Sequence, residues 1–153
     1  MKKISLIGLA LLFIIMSSIQ VHAGELHDAA KAGDLVKVKQ LLEQGADVNA
    51  KEDRSQRTPL HWAASKGKTD VAKLLIENGA DLNAKMDEGR TALMIAAHNG
   101  HADIARLLIE KGADLNAKEE WDGKTALDIA VDNHMTDIVN ILSATISSNI
   151  ART

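Results

Sequence analysis

No cysteine and no tyrosine occur among the 153 residues, there is one phenylalanine and one proline, and aromatic side chains make up only 2% of the chain. The missing thiol excludes disulfide scaffolds, thiolate zinc sites, cysteine nucleophiles and lipid attachment at a processed N-terminus. With so few aromatics, the core cannot be of the aromatic-rich kind found in many β-sandwiches. The 46% hydrophobic content must therefore pack as Ala, Leu, Ile and Val. A formal net charge of −3 removes the main reason to expect a nucleic-acid binder, since such proteins gather Lys and Arg to displace counterions. No Asn-x-Ser/Thr acceptor is present. The length suits one domain.

What is present begins with a leader. Met1-Lys2-Lys3 is a short basic start, Ile4 to Met16 is an almost uninterrupted apolar run, and a more polar stretch ends at Val21-His22-Ala23. That is the pattern of a secretory signal peptide. The apolar run is too short to span a bilayer as a helix. Cleavage is expected after Ala23, with an uncleaved anchor as the alternative. It would remove Lys2 and Lys3 and leave a more acidic chain, 24–153, with no membrane span. The two-lysine start and the lack of glycosylation acceptors fit a bacterial protein, periplasmic or secreted.

A repeat fills nearly all of the rest. Gly45-Ala46-Asp47-Val48-Asn49-Ala50-Lys51 returns as Gly79 to Lys85 and again as Gly112 to Lys118, at nearly equal spacing. Leucine doublets Leu41-Leu42, Leu74-Leu75 and Leu107-Leu108 precede these blocks. After them come Thr58-Pro59-Leu60-His61-Trp62-Ala63-Ala64, Thr91 to Ala97 and Thr125 to Val131. Each Thr suits a helix N-cap, and Pro59 suits the first helical position, where its missing N–H costs nothing. His61 and Asp128 are placed to answer their caps reciprocally, whereas Met94 is expected to be unable to. Gly33, Gly67 and Gly100 read as helix stops, and His134 stands where the fourth would be. Second helices are expected near Thr69, Ala102 and Thr136, each with an Asp in its positive first turn. Helices this short do not persist alone in water. They have to stack, each repeat on its neighbours, with Ala63-Ala64 and Ala96-Ala97 allowing close approach.

These motifs resemble those of the ankyrin repeat family over about residues 25 to 142. The resemblance implies an all-α solenoid of about four helix-turn-helix repeats, 25–51, 52–85, 86–118 and 119–142, joined by β-hairpin-like fingers. The domain would span 24–143, after the signal peptide 1–23. The first and fourth repeats lack parts of the pattern and read as caps. From Asn to the next Thr, the first and third fingers are one residue longer than the second, and Gln56 stands where Gly is usual. Residues 144–153 read as a tail that frays beyond a possible short continuation of the last helix.

Catalytic constellations are absent from the sequence. There is no G-x-S-x-G, no H-E-x-x-H and no phosphate loop. Lys66-Gly67-Lys68-Thr69 lacks the upstream glycine of such a loop, and its repeat position explains Gly67. His98 and His101 stand three apart, but Gly100 is expected to end the helix between them. Asp53, Asp122, Asp87-Glu88 and Glu119-Glu120 read as solvated turn carboxylates. The expectation is a non-enzyme with neither cofactor nor metal.

Recognition remains. The resemblance implies a partner surface on the concave side, formed by the fingers and the exposed face of each first helix. By position these are Arg54, Ser55, Arg57, Ser65 and Lys66, then Asp87, Glu88, Arg90, His98 and Asn99, then Trp121, Asp122, Lys124, Asp132 and Asn133. They differ between repeats while the framework does not, as expected of a surface free of packing duties. Trp121 is either an interface anchor or folded over the neighbouring finger. Trp62, at the position of Ile95 and Ile129, reads as core first and partner contact second. The groove would run from basic (Arg54, Arg57, Lys66, Lys68) to more acidic (Asp87, Glu88, Asp122). The leading expectation is a monomeric protein-binding or peptide-binding module of the bacterial cell envelope. The alternatives are an inhibitor or immunity-type protein for an exported enzyme or toxin, a host-directed effector, and a metal carrier or enzyme using His27, His98 and His101.

Overall fold

A computed structural model describes residues 5–152, with residues 13–23 given by their backbone alone. Met1-Lys2-Lys3 and Ile4 lie outside the described residues. Eight α-helices occupy the described chain: α1 (Leu6–Ala32), α2 (Leu35–Glu43), α3 (Pro59–Lys66), α4 (Thr69–Glu77), α5 (Ala92–Asn99), α6 (Ala102–Glu110), α7 (Ala126–Asp132) and α8 (Thr136–Ile150). A single 3-10 turn, Asp87–Gly89, is the only other regular element among the described residues.

The helices form two layers. In one, α1, α3, α5 and α7 pack in sequence order, and in the other α2, α4, α6 and α8 do the same. Each pair within a repeat closes the sandwich between them. Helices of two to three turns persist because both layers bury their inner faces, which is what tertiary packing adds to marginal helices. The residues that vanish from solvent are small: Ala30, Ala63, Ala64, Ala72, Ala96, Ala97, Ala105 and Ala130 are all at 0% exposure. Between the layers, Leu41, Leu75 and Leu108 are equally inaccessible. Each is the seventh residue of its helix, so the leucine doublets seen in the sequence are not equivalent. Leu41-Leu42 matches Leu75-Ile76 and Leu108-Ile109, while Leu74 and Leu107 sit one place earlier and are only partly buried.

The loops are tied together by a second ladder. The Asn49 side chain accepts from the Asp81 N–H at 2.7 Å and donates to the Gly79 carbonyl at 3.1 Å. Asn83 accepts from the Asp114 N–H at 2.8 Å. Asn49 and Asn83 therefore each hold the loop of the next repeat.

All three caps close reciprocally. The ring Nδ1 of His61 accepts from the Thr58 N–H at 3.1 Å, and Asp128 accepts from the Thr125 N–H at 2.9 Å. Contrary to expectation, Met94 answers too, its Sδ lying 3.5 Å from the Thr91 nitrogen. A thioether is a weak acceptor, but it is aimed correctly and buried.

Gly67 and Gly100 end their helices with positive φ, and a Cβ on either would strike the next repeat, at the His101 ring (2.8 Å) and the Met135 sulfur (2.8 Å) respectively. His134 takes the same left-handed conformation, φ 59, at the last repeat. Among the described residues no further repeat stands against its side chain, so the backbone strain is what a glycine would relieve. His134→Gly is expected to stabilise the protein by about 1 kcal/mol, read as a higher urea midpoint at unchanged slope. Gly67→Ala is expected to do the opposite.

The fingers are turns, not strands. Each is closed by one backbone bond, Glu52 N–H to Arg57 O (3.0 Å), Met86 N–H to Arg90 O (3.0 Å) and Glu119 N–H to Lys124 O (3.1 Å). The extra residue in the first and third is taken up inside that closed loop, and Gln56 adopts the φ of 52 that glycine would favour. Neighbouring fingers are also joined, Asp87 N–H to Ser55 O at 3.1 Å and Glu120 N–H to Glu88 O at 2.9 Å.

Both ends extend past the repeats. α8 continues as a helix to Ile150, where a frayed tail was expected. Ile146 and Ile150 lie beside the loop Ala113 to Asn116, so the continuation covers the open end of the third loop. At the other end, α1 runs unbroken through the expected cleavage point. Leu26, His27, Ala29 and Ala30 are buried, whereas Leu6, Ile7, Leu9, Leu11 and Leu12 are exposed. Among the described residues, no helix is long and apolar enough to cross a membrane.

Candidate functional site

A cavity of about 400 Å³ opens between the fingers and the first-layer helices. Its floor is apolar: Met94 and Ile95 from α5 and Ile129 from α7, with Met86 from the second finger. Polar side chains stand around it, among them Ser65, His98, Asn99, Asp132 and Asn133 from the helices, and Arg57, Arg90, Glu119 and Lys124 from the fingers. The repeat places them there. Ser65, His98 and Asp132 all stand seven residues beyond a capping Thr, on the helix face turned towards the fingers.

Two cation clusters stiffen the finger side. The Arg90 Nε donates to Glu119 at 2.7 Å, with Glu88 at 3.6 Å. Glu119 is only 8% exposed, which corrects its reading as a solvated turn carboxylate. Its bond joins the second finger to the third. Lys124 lies between Asp122 at 2.6 Å and Asp132 at 3.1 Å. Its hydrogen bonds to those two carboxylates raise the ammonium pKa well above the usual lysine value. Thus both cations at this end of the groove are held by carboxylates, which outnumber them.

At the second repeat the arrangement differs. The Trp62 ring is partly buried against the core, and its Nε1 donates to Glu52 at 2.9 Å. Ser55 donates to the other oxygen of Glu52. Burial alone would raise this carboxyl, but the hydrogen bonds from Ser55 and Trp62 outweigh it and the pKa falls below its ordinary value. Lys31 and Arg57 lie over the indole at 4.7 and 4.5 Å, a cation–π arrangement.

Of the residues expected on the partner surface, the cavity gathers Arg57, Ser65, Arg90, His98, Asn99, Lys124, Asp132 and Asn133. Arg54, Ser55, Lys66, Asp87, Glu88, Trp121 and Asp122 do not line it. Trp121 sits on the third finger at 84% exposure, so it is not folded over its neighbour. The sequence reading missed Met86, Met94, Ile95, Glu119 and Ile129. Four are apolar; of these, Ile95 and Ile129 belong to the repeated pattern, which periodicity assigns to the core without revealing that one edge faces a cavity, while Met86 and Met94 stand where the other repeats have polar residues. Glu119 carried one usable signal, since it stands at the start of the finger that follows Arg90, where consecutive fingers come side by side.

The histidines are occupied by structure. His27 Nε2 lies 2.8 Å from Ala50 O and 3.0 Å from Arg57 O. His101 Nε2 lies 3.2 Å from Ser65 O, and α5 ends at Asn99 between His98 and His101. Among the described residues, no group of three or more His, Asp or Glu side chains comes together as a metal site would require.

Comparison with known families matches a model described as ankyrin repeats, in three copies, over residues 26–119 and again over 85–152. A search of curated proteins gives no match.

Proposed function

Because the chain belongs to the ankyrin repeat family, whose repeats are generally protein–protein interaction modules, we propose that it is a non-catalytic, monomeric binding protein that holds a protein or peptide in its concave groove. The carrying observation is the cavity of about 400 Å³, which has an apolar floor and a polar wall that changes from repeat to repeat. Apolar floor beneath sparse, placed polar groups is the make-up of a recognition site. We place this protein in the bacterial cell envelope or beyond it, after removal of residues 1–23. The basic start, the apolar run from Ile4 to Met16 and the position of Ala23 support export.

The test replaces Arg54, His98 and Trp121 together by Ala. All three are exposed and none carries an ion pair among the described residues, so the fold should be intact by circular dichroism. Capture of envelope proteins from the source cells is expected to drop at least tenfold. Undiminished capture by the folded variant would sink this reading. A single stoichiometric partner whose enzymatic or toxic activity is lost on mixing would identify the protein as an inhibitor.

A further inference from the structure

Of the three Arg and Lys side chains that line the cavity, Arg57 is the one that forms no ion pair among the described residues. Arg90 is held by Glu119, and Lys124 by Asp122 and Asp132. No ion pair involves Arg57 among those residues; its guanidinium rests on Trp62, and its Nε is buried without a hydrogen-bond partner. A buried donor without an acceptor is unfavourable. Glu52, whose oxygens accept from Ser55 and Trp62, feels the positive charge of Arg57 but forms no ion pair with it. Arg57 nevertheless lines the same cavity as Met94, Ile95 and Ile129. The second-repeat end of the groove therefore offers a guanidinium held in no ion pair, oriented by the Trp62 ring, next to an apolar floor.

Resting on the reading of this groove as a partner site, we propose that Arg57 receives an Asp or Glu side chain of a bound protein segment, while a nearby apolar side chain of that segment seats on Met94, Ile95 and Ile129. A planar guanidinium suits a carboxylate, and stacking on an aromatic face fixes its direction. A single negative charge fits better than a phosphate, because Glu119 and Asp132 stand on the same cavity wall and would repel a second one. The occupant therefore runs with its acidic residue at the second repeat and its apolar residue towards the third and fourth.

The full chain is screened against a random dodecapeptide library with capped ends, so that no free terminal carboxylate is offered. Selected peptides are expected to share an acidic residue within about four positions of a bulky apolar one. Arg57→Gln is expected to weaken them at least tenfold and Arg57→Lys less. Ser65, on the groove wall, supplies a pair that leaves Arg57 in place: Ser65→Glu should weaken the same peptides at least tenfold by occupying the guanidinium, and Ser65→Gln should not. Peptides with no shared acidic residue, weakened equally by both Ser65 variants, would overturn the carboxylate site while leaving the groove as the partner surface. Selection only when the peptide's terminal carboxylate is freed would overturn the side-chain source. Binders indifferent to every substitution at Arg57 and Ser65, or no binders at all, would overturn both the site and the groove reading.

Discussion

Replacing Leu75 by Ala is expected to cost about 3–4 kcal/mol of stability, while the same change at Leu74, its immediate neighbour, should cost about 1 kcal/mol. Leu75 is wholly inaccessible between α4 and the helices around it, whereas Leu74 is only partly buried at the edge of the cluster. Truncating the first loses the transfer energy of the side chain and leaves a hole. Small neighbours such as Ala72 and Ala105 have no atoms with which to fill it. Truncating the second loses contacts on one side only. For a domain whose total stability is about 5–15 kcal/mol, the first variant should lose its cooperative transition at temperatures where the wild type is folded. Urea unfolding of both variants checks this. Equal costs would show that the doublet, not the seventh helical position, sets the inter-repeat contact.

The second large effect belongs to His61 and depends on pH. Its ring is buried, at 1% exposure. Nδ1 serves the Thr58 cap, and Nε2 lies 3.3 Å from the Arg90 carbonyl, tying the first full repeat to the next finger. Burial dominates and lowers the ring's pKa from 6.5 to about 4, with Arg57 and Lys51 adding repulsion, although hydrogen bonds to backbone carbonyls oppose the shift. Above pH 6.5 the ring is neutral in both folded and unfolded chains. Between pH 6.5 and 4 the unfolded chain binds a proton that the folded one resists, so stability falls as the solution is acidified through that window, and levels off below it. At 1.36 kcal/mol per unit, the loss attributable to this residue is roughly 3 kcal/mol. His61→Met places there the residue found at the matching position of the next repeat, Met94. It should be less stable than wild type at pH 7, by about 1–2 kcal/mol, through loss of the stronger cap acceptor and the inter-repeat bond. Its stability should nonetheless fall less between pH 6.5 and 4. Parallel curves for the two proteins would place the acid sensitivity elsewhere.

These two residues also illustrate what the sequence makes readable. The regular return of the Gly-Ala-Asp blocks, the capping threonines and the glycine stops identify the unit and its layers, because each feature satisfies backbone groups locally and needs no knowledge of distant contacts. Two kinds of detail depend on contacts between repeats and were not readable. One is phase within the helix: Leu41-Leu42 and Leu74-Leu75 look alike as text but differ by one position against the stack. The other is pairing between fingers. Glu119 reads as a turn carboxylate and becomes a buried partner of Arg90 only when consecutive fingers lie side by side. Met94 failed as an expected non-cap for a subtler reason, since its thioether acts as an acceptor only where burial removes competing water.

The candidate site was legible in half its extent for the same reason. Ser65, His98, Asp132 and Asn133 vary at fixed offsets from capping threonines, so comparison of repeats within the chain finds them. The floor cannot be found that way. Ile95 and Ile129 occupy framework positions and remain almost fully buried, at 8% and 5% exposure. That the cavity exposes one edge of them follows from how far the fingers stand off the helices.

The most direct test of the account places a photo-crosslinking amino acid, one at a time, at Ser65, His98 and Asn133 on the groove wall, and at Lys73 and Arg106 on the second-layer helices, in the source cells. The account predicts one discrete crosslinked partner from the groove positions and none from Lys73 or Arg106. A partner captured only from the second layer, with the groove positions silent, would contradict it.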